Sequence, residues 1–187
     1  MKKLYFLAVA LLATTFVMAQ CNGRYQAEIF TNVSVSTVNY SDVYLDSFHE
    51  MDVYMPDGDT VTNRPFILYM HGGSFSAGTK NMTDCIDFCT SMAKRGYVTA
   101  SVNYRITNII TFLSSQTEQY KIVLKSVADA KAAVRYFRKD HAINANTYGI
   151  DPSTIFAGGY SSGGVIAIHM AFIDAISDLP TAPIDVQ

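Results

Sequence analysis

A serine flanked by glycines near the end of the chain is the first feature that could perform chemistry. Gly159-Tyr160-Ser161-Ser162-Gly163 fits the G-x-S-x-G pattern and lies between a β-type segment, 154–157, and an apolar helical segment that begins at Val165. In a strand–turn–helix setting the pattern places a serine hydroxyl on a sharp bend, where the glycines relieve crowding. We therefore interpret Ser161 as a candidate nucleophile supported by Gly159 and Gly163. No lysine follows the glycines, which excludes a phosphate-binding P-loop.

A second glycine-rich segment, His71-Gly72-Gly73-Ser74-Phe75, follows the apolar run 65–70. A serine that attacks a carbonyl group creates a negative oxygen that backbone N–H groups stabilise, and loss of one donor costs roughly 10²–10³ in rate. The N–H of Ser162, directly after the candidate nucleophile, is the first candidate donor. Since both glycine-rich segments follow strands, and ligands bind at the carboxyl edge of parallel sheets, we expect the two segments to converge there.

The surrounding chain reads as strands first and then as alternating strands and helices. Val33, Val35 and Val38 before Tyr40 predict an edge strand. Met51, Val53 and Met55 alternate with Asp52 and Tyr54, which predicts a half-exposed strand that ends at Pro56. The later segments predict strands at 65–70, 97–103 and 154–157, helices at 83–95, 118–140 and 165–176, and irregular structure at 104–116. This order predicts an α/β fold, a doubly wound, mostly parallel sheet with helices on both faces.

The two glycine-rich motifs together resemble the α/β-hydrolase superfamily, and within it the carboxylesterases and hormone-sensitive-lipase-like enzymes with an HGGG-type motif. The wider pattern is similar to secreted bacterial esterases related to feruloyl and acetyl esterases, over about residues 24–176. It includes the segments 51–56, 64–65, 93–98, 102–105, 129–130 and 149–152.

The resemblance implies a serine ester hydrolase without a cofactor that acts on a small-molecule or polysaccharide-linked ester. It implies that the N–H groups of Gly73 and Ser74 join that of Ser162 in an oxyanion hole, and that His71 and Gly72 hold the loop in shape. Two departures are Ser74, where the third glycine of the motif stands, and Ser162, where many relatives carry alanine. Both residues still supply an N–H group.

The base and the acid of a catalytic triad are not evident. In this family the acid and the histidine follow the serine in the chain. His169 lies eight residues after Ser161, roughly 12 Å further along the same predicted helix. His49 and His141 match no motif and are predicted at the surface. We therefore expect a C-terminally incomplete α/β-hydrolase fold, with the acid and histidine beyond residue 187 and the chain alone essentially inactive.

Two other functions remain open. A secreted serine peptidase on the same fold normally carries an additional N-terminal domain, for which the region 20–60 is too short. A catalytically inert hydrolase-fold fragment or binding protein usually loses the nucleophile, whereas Ser161 is present. Both alternatives are less favoured than a carboxylesterase.

Composition limits the class of protein and its partners. Apolar residues make up 49% of the 187 residues, and the net charge is -2, so the chain is globular and nucleic acid is an unfavoured partner. Residues 1–19 have the basic start, apolar run and small-residue end of a signal peptide, which leaves 20–187 as one domain. We expect a secreted or periplasmic protein without stable membrane insertion; a membrane anchor and a lipoprotein cut before Cys21 are weaker alternatives. The sequence does not indicate an oligomeric state.

The three cysteines are Cys21, Cys85 and Cys89. Export permits disulfides, and Cys85 and Cys89 are spaced to share one face of a helix. We slightly favour a bridge between Cys21 and Cys89, with a bridge to Cys85 or three free thiols as alternatives. No CxxC pair or cysteine–histidine cluster is present, so no metal site is expected.

Overall fold

The structure is a computed structural model that describes residues 23–175. The strands of this range are β1 (Val33–Asn39), β2 (Glu50–Pro56), β3 (Arg64–Met70), β4 (Val98–Val102) and β5 (Ile150–Gly159). Its helices are α1 (Thr83–Lys94), α2 (Ile109–Ser114), α3 (Gln116–Ile143) and α4 (Ser162–Phe172). The order of these elements is that of a strand pair followed by strand–helix units.

The strands form one mixed sheet in the order β1-β2-β4-β3-β5. The strands β4, β3 and β5 run parallel to one another, and β1 and β2 add an antiparallel edge. The parallel part is therefore confirmed, and the antiparallel pair is the form in which large parallel sheets commonly add an edge. The carboxyl ends of β3 and β5 lie side by side, since Met70 is paired with Gly159.

Helices cover both faces of the sheet, as predicted. Phe66, Leu68 and Met70 of β3 face one core, where Phe137 of α3 packs on Phe66 with ring centroids 4.0 Å apart. Tyr69 points to the opposite face, where it stacks on the ring of Phe88 in α1 at 4.3 Å. Because successive side chains of a strand alternate between faces, a strand covered twice is apolar throughout.

The strand β2 is more buried than its alternating sequence predicts. Asp52 and Tyr54, expected to face solvent, are both buried. Tyr54 packs against Cys89 and Ala93 of α1, and the carboxylate of Asp52 accepts a hydrogen bond of 2.8 Å from the ammonium group of Lys80. The prediction was wrong because α1 and the loop before it cover the face that the polar residues occupy.

Several boundaries also differ from the predicted ones. The segment predicted to be irregular, 104–116, contains α2, which begins where the Asn108 side chain accepts the N–H of Ile110 at 2.7 Å. The strand β5 begins at Ile150 rather than at residue 154, and α4 begins three residues before Val165. Pairing with β3 extends β5. A side-chain cap such as that of Asn108 on α2 is known to start a helix.

The predicted bridge between Cys21 and Cys89 is not seen at Cys89, the one of these two cysteines that lies within the described residues. Cys85 and Cys89 are free thiols with no exposed surface between α1 and the sheet, and Cys21 lies outside the described residues. Burial raises the pKa of Cys85 to about 11 and also raises that of Cys89. These thiols serve as small apolar side chains in the core beneath α1.

His49 is buried, although it was predicted at the surface. It ends a short 3₁₀ turn, Ser47–His49, and its Nδ1 donates to the carboxylate of Asp46 at 2.7 Å. Its Nε2 lies 3.5 Å from the carboxylate of Asp129 on α3, and its ring stacks on Tyr44 at 4.8 Å. The prediction was wrong because Asp129 is distant in sequence and only the fold brings it to the histidine.

No helix between residues 23 and 175 is long and apolar enough to cross a membrane. The predicted signal peptide, residues 1–19, lies outside the described residues, and the division of the chain at residue 20 stays a prediction.

Candidate active site

The turn that carries Ser161 is a tight bend between β5 and α4. Ser161 has φ 50° and ψ −115°, a backbone conformation that an L-residue rarely adopts. The N–H of Gly163 donates to the carbonyl of Tyr160 at 2.9 Å, and that of Val165 donates to the carbonyl of Ser161 at 3.1 Å. These bonds close the bend directly into the first turn of the helix, and they leave the Ser161 side chain exposed.

The two glycines around the serine lie against the end of β3. A Cβ placed on Gly159 would lie 2.5 Å from the carbonyl oxygen of Met70, and one on Gly163 would lie 2.1 Å from the same oxygen. Real Cβ atoms essentially never come so close to another atom. Glycine at both positions therefore lets the turn seat on the neighbouring strand.

The helix that follows presents free donors at this bend. Ser162 is the first residue of α4, and the first N–H groups of a helix have no acceptor within it. The N-terminus of a helix also carries partial positive charge, which favours a negative oxygen nearby. Ser162 is buried as a whole residue, and its N–H donates to no described residue.

The glycine-rich loop after β3 adopts three successive left-handed conformations, with φ of 125° at Gly73, 51° at Ser74 and 58° at Phe75. The loop is closed by hydrogen bonds from Ser76 and Ala77 to the carbonyl of Gly73, at 2.9 and 3.0 Å. Within the described part of the chain, the N–H groups of Gly73 and Ser74 have no acceptor. They are therefore unused donors.

The two turns are in contact, although some ninety residues separate them. A Cβ placed on Gly72 would lie 3.5 Å from Cβ of Ser161 and 3.2 Å from the carbonyl oxygen of Tyr160. The N–H of Tyr160 donates to the carbonyl of Met70 at 3.3 Å. A hydroxyl and a set of unused backbone donors thus lie at the same sheet edge.

Tyr104, which sequence reasoning did not select as a site residue, connects the two turns. Its hydroxyl donates to the carbonyl of His71 at 2.7 Å and lies 3.1 Å from Oγ of Ser162. Since a phenol has one proton, the Ser162 hydroxyl is the donor in the second bond. Burial raises the pKa of Tyr104 to about 12, so the phenol keeps this proton. The sequence signals were its place two residues after β4 and its position within the segment 102–105 of the resemblance.

His71 holds the loop through its ring. The ring stacks on Tyr104 at 4.2 Å, and Nδ1 donates to the carbonyl of Gly72 at 2.6 Å. Burial lowers the pKa of His71, which keeps the ring neutral. Gly78 passes so close that a Cβ there would lie 2.5 Å from this nitrogen. His71 is thus packed inside the loop and does not face Ser161 as a base.

A buried ion pair fixes the far end of the same loop. The ammonium group of Lys80 bonds the carboxylate of Asp52 in β2 at 2.8 Å, and both side chains are buried. The backbone of Lys80 is held by Ser101 and Asn103 at the end of β4, through bonds of 2.7 and 2.6 Å. The loop is therefore attached to the sheet at both ends.

His169 and Asp174, which follow Ser161 within the described residues, bond to other groups. The ring of His169 donates from Nδ1 to the carbonyl of Val165, one turn back in its own helix, at 2.8 Å. Asp174 lies 3.4 Å from the ammonium group of Lys131. Among residues 23–175, no side chain makes a hydrogen bond with the hydroxyl of Ser161. The same residues contain no group of histidine, cysteine or acid side chains that could hold a metal ion.

A mixed sheet with helices on both faces, in which a strand–serine–helix bend meets a glycine-rich loop, defines a partial α/β-hydrolase fold. The chain matches the BD-FAE family over residues 51–182, which is more than half of its length. It belongs to this family of α/β-hydrolase esterases.

The chain is also similar to known proteins. The chain is 29% identical over 126 residues to neuroligin-like protein glit-1 of Caenorhabditis elegans, covering 64% of this chain and 15% of the relative. It is 29% identical over 133 residues to esterase B1 of Culex pipiens, covering 70% of this chain and 23% of the relative. The solved structure of bacterial heroin esterase matches with a TM-score of 0.55 and 28% identity, over 88% of this chain and 44% of that one. The chain thus spans a quarter or less of these two curated relatives.

Proposed function

We propose that the chain is the N-terminal part of a serine carboxylesterase that forms an acyl-enzyme on Ser161. The observation that carries the proposal is the contact between the two turns, which brings Gly72 within van der Waals reach of Ser161. A nucleophile beside unpaired backbone donors is the arrangement that acyl transfer requires.

The chemistry divides into two steps. Oγ of Ser161 bonds to the carbonyl carbon of the ester and gives its proton to a base, while the carbonyl oxygen becomes negative. The N–H groups of Gly73, Ser74 and Ser162 stabilise that oxygen. The oxygen re-forms the carbonyl as the alcohol leaves with the proton from the base, and water then hydrolyses the acyl-enzyme by the same route.

The base and its acid are proposed to come from outside residues 1–187. His71 is neutral and packed within its loop, and His169 is bonded to its own helix, so neither can accept the proton of Ser161. Serine is a weak nucleophile without such a base. The 187-residue chain by itself is therefore expected to be essentially inactive.

The substrate is proposed to be a small-molecule ester or an ester carried by a polysaccharide, and the protein is proposed to be exported. The esterase names of the relatives support an ester substrate, and the basic and apolar start of the chain supports export. The peptidase and the inert binding protein remain the alternatives, and the following experiment separates an esterase from the inert binding protein.

The test is hydrolysis of p-nitrophenyl acetate by a form of the protein that includes the base and the acid. Ser161→Ala is expected to lower kcat by about 10⁶, because the nucleophile and its base act as a unit. Ser162→Ala is the matched control, since it keeps the backbone N–H and should lower kcat by less than about tenfold. Equal losses in the two variants, or no effect of Ser161→Ala, would contradict the proposal.

A further inference from the structure

A cavity of about 540 Å³ lies between the loop 41–44 and α3 and includes no residue of either glycine-rich turn. Ser41, Tyr44 and Arg105 line one part of it, and Asp129, Arg135 and Lys139 of α3 line another. A cavity of this size can hold a small organic molecule. Its position makes it independent of the chemistry proposed for Ser161.

The charges that line the cavity do not balance. Three cations, Arg105, Arg135 and Lys139, face two carboxylates, Asp42 and Asp129. The charge of Arg105 is paired, because its guanidinium and backbone N–H donate to both oxygens of buried Asp129 at 2.7–3.0 Å. Within residues 23–175, the guanidinium of Arg135 has no hydrogen-bond or ion-pair partner. One positive charge at the cavity is thus unmatched.

The pair between Lys139 and Asp42 adds a second available donor. Its atoms lie 2.9 Å apart, but the side chains are 51% and 82% exposed. Exposed pairs of this kind contribute only about 0–1 kcal/mol. The ammonium group can therefore turn to a ligand at little cost, one helical turn from Arg135 on the same face of α3.

The loop offers a third donor. Oγ of Ser41 accepts the N–H groups of Val43 and Tyr44, at 3.1 and 2.9 Å. No described residue accepts the proton of this hydroxyl, which is therefore free to donate. The unpaired groups of Arg135 and Ser41 are donors, although Nε2 of buried His49 at the cavity also has no hydrogen-bond partner. A ligand held by Arg135 and Ser41 must present acceptors and negative charge.

Apolar surface completes the lining. Val43 and Tyr44 are 76% and 49% exposed, and Ala128, Ala132 and Tyr136 lie on the helix side. The Tyr44 ring stacks on the ring of His49 at 4.8 Å, and the guanidinium carbon of Arg105 lies 5.7 Å from its centroid. A flat apolar body can pack on such a supported ring, and aromatic pairs favour this contact.

We propose that this cavity binds a small organic carboxylate with a flat apolar body, held by Arg135 and Ser41 and packed against Tyr44. A monoanion matches the single unmatched charge, whereas a dianion such as phosphate does not and lacks the apolar part. The cavity is thus a second ligand site of the protein.

The test uses benzoate as probe and measures its binding to the 187-residue chain by NMR titration. Saturable binding is expected, and Arg135→Gln should weaken it about tenfold, the usual loss for a hydrogen bond to a charged group. Arg138→Gln is the matched control: Arg138 lies on the same helix but lines a different cavity, together with Arg135, and its substitution should leave the affinity unchanged. Tyr44→Ala is a second variant at the apolar wall and should also weaken binding.

Two comparison ligands and a check of folding complete the test. Benzyl alcohol, which lacks the charge, and inorganic phosphate, which lacks the ring, should both bind more weakly than benzoate. Far-UV circular dichroism checks that each variant is folded. The proposal is overturned if benzoate does not saturate, if either comparison ligand binds as tightly, or if the two arginine variants lose affinity equally.

Discussion

Ser161 shows how a reactive position is held by its neighbours. A residue with this backbone conformation costs of order 1–3 kcal/mol, and it persists only where the surrounding structure compensates. The compensation at φ 50° comes from the bonds that Gly163 and Val165 make across the bend. The conformation is therefore a property of the bend as a whole, and the serine is one residue within it.

His71 and Tyr104 form a polar pair that is buried between the two turns. Burial lowers the pKa of His71 below its ordinary value of 6.5, so the folded protein binds a proton there less readily than the unfolded chain does. Between these two pKa values the unfolded state is the more protonated, and stability rises with pH. This contribution is fully present above pH 6.5 and is lost as the pH falls through that window.

We accordingly predict that the free energy of unfolding decreases as the pH is lowered from 7.5 to 5, with a slope of at most about 1.4 kcal/mol per pH unit from this one group. Urea denaturation at a series of pH values measures the slope. His71→Asn removes the titrating group and should flatten the curve in this range. A variant whose curve keeps the wild-type slope would show that His71 is not the source.

At the scale of elements, the approach of β5 and α4 to the end of β3 depends on glycine. Gly158 and Gly159 are neighbours in β5 with different surroundings. A Cβ on Gly159 would meet the backbone of Met70 at 2.5 Å, whereas one on Gly158 would meet only the ring of Tyr69, at an ordinary 3.8 Å. The two positions therefore form a matched pair of sites.

Gly159→Ala is predicted to destabilise the protein by about 1–3 kcal/mol or more, because the backbone must shift to admit the methyl group. Gly158→Ala should change stability by less than about 1 kcal/mol, and the reduced freedom of its unfolded chain favours stabilisation. Chemical denaturation of both variants measures the difference. Similar values for the two would argue against the close approach at Gly159.

Local patterns were sufficient to predict β3, the bend at Ser161 and the loop at Gly73, since each depends on apolar runs or glycine spacing within a few residues. They were not sufficient for His49 or for Tyr104. The partners of His49 and Tyr104 include Asp129 and Ser162, which come from other elements, and no local pattern reports them. The roles assigned to Ser161 and the backbone donors stay predictions.

At the scale of the whole molecule, one side of the described sheet is open. The strand β5 is the last in the order and pairs only with β3. Large apolar side chains are exposed beside it: Phe156 at 52%, Tyr160 at 66%, Ile168 at 61% and Phe172 at 76%. An unpaired strand next to exposed apolar surface is a site of association between chains.

We predict that the 187-residue chain self-associates in a concentration-dependent manner, as measured by size-exclusion chromatography with light scattering. Ile168→Glu places a charge on this surface and should shift the chain towards the monomer. Ile110→Glu is the control, because Ile110 is 76% exposed on α2, which packs against α3. A wild-type chain that stays monomeric at high concentration would contradict the prediction.

The order of the strands brings together the two turns that carry the candidate site. Topology, rather than sequence distance, brings the ends of β3 and β5 together, and the turns that follow them inherit that proximity. The convergence of the two turns therefore depends on these two strands pairing in register. Changes that preserve the pairing of Met70 with Gly159 should preserve the site.

A crystal structure of a form of the protein that includes the base and the acid, solved after reaction with a fluorophosphonate ester, tests whether Ser161 is the nucleophile beside the backbone donors. We predict a phosphorus atom bonded to Oγ of Ser161, with its oxygen about 2.7–3.1 Å from the backbone nitrogens of Gly73, Ser74 and Ser162. An adduct on any other residue, or a phosphonyl oxygen turned to solvent away from these nitrogens, would contradict it.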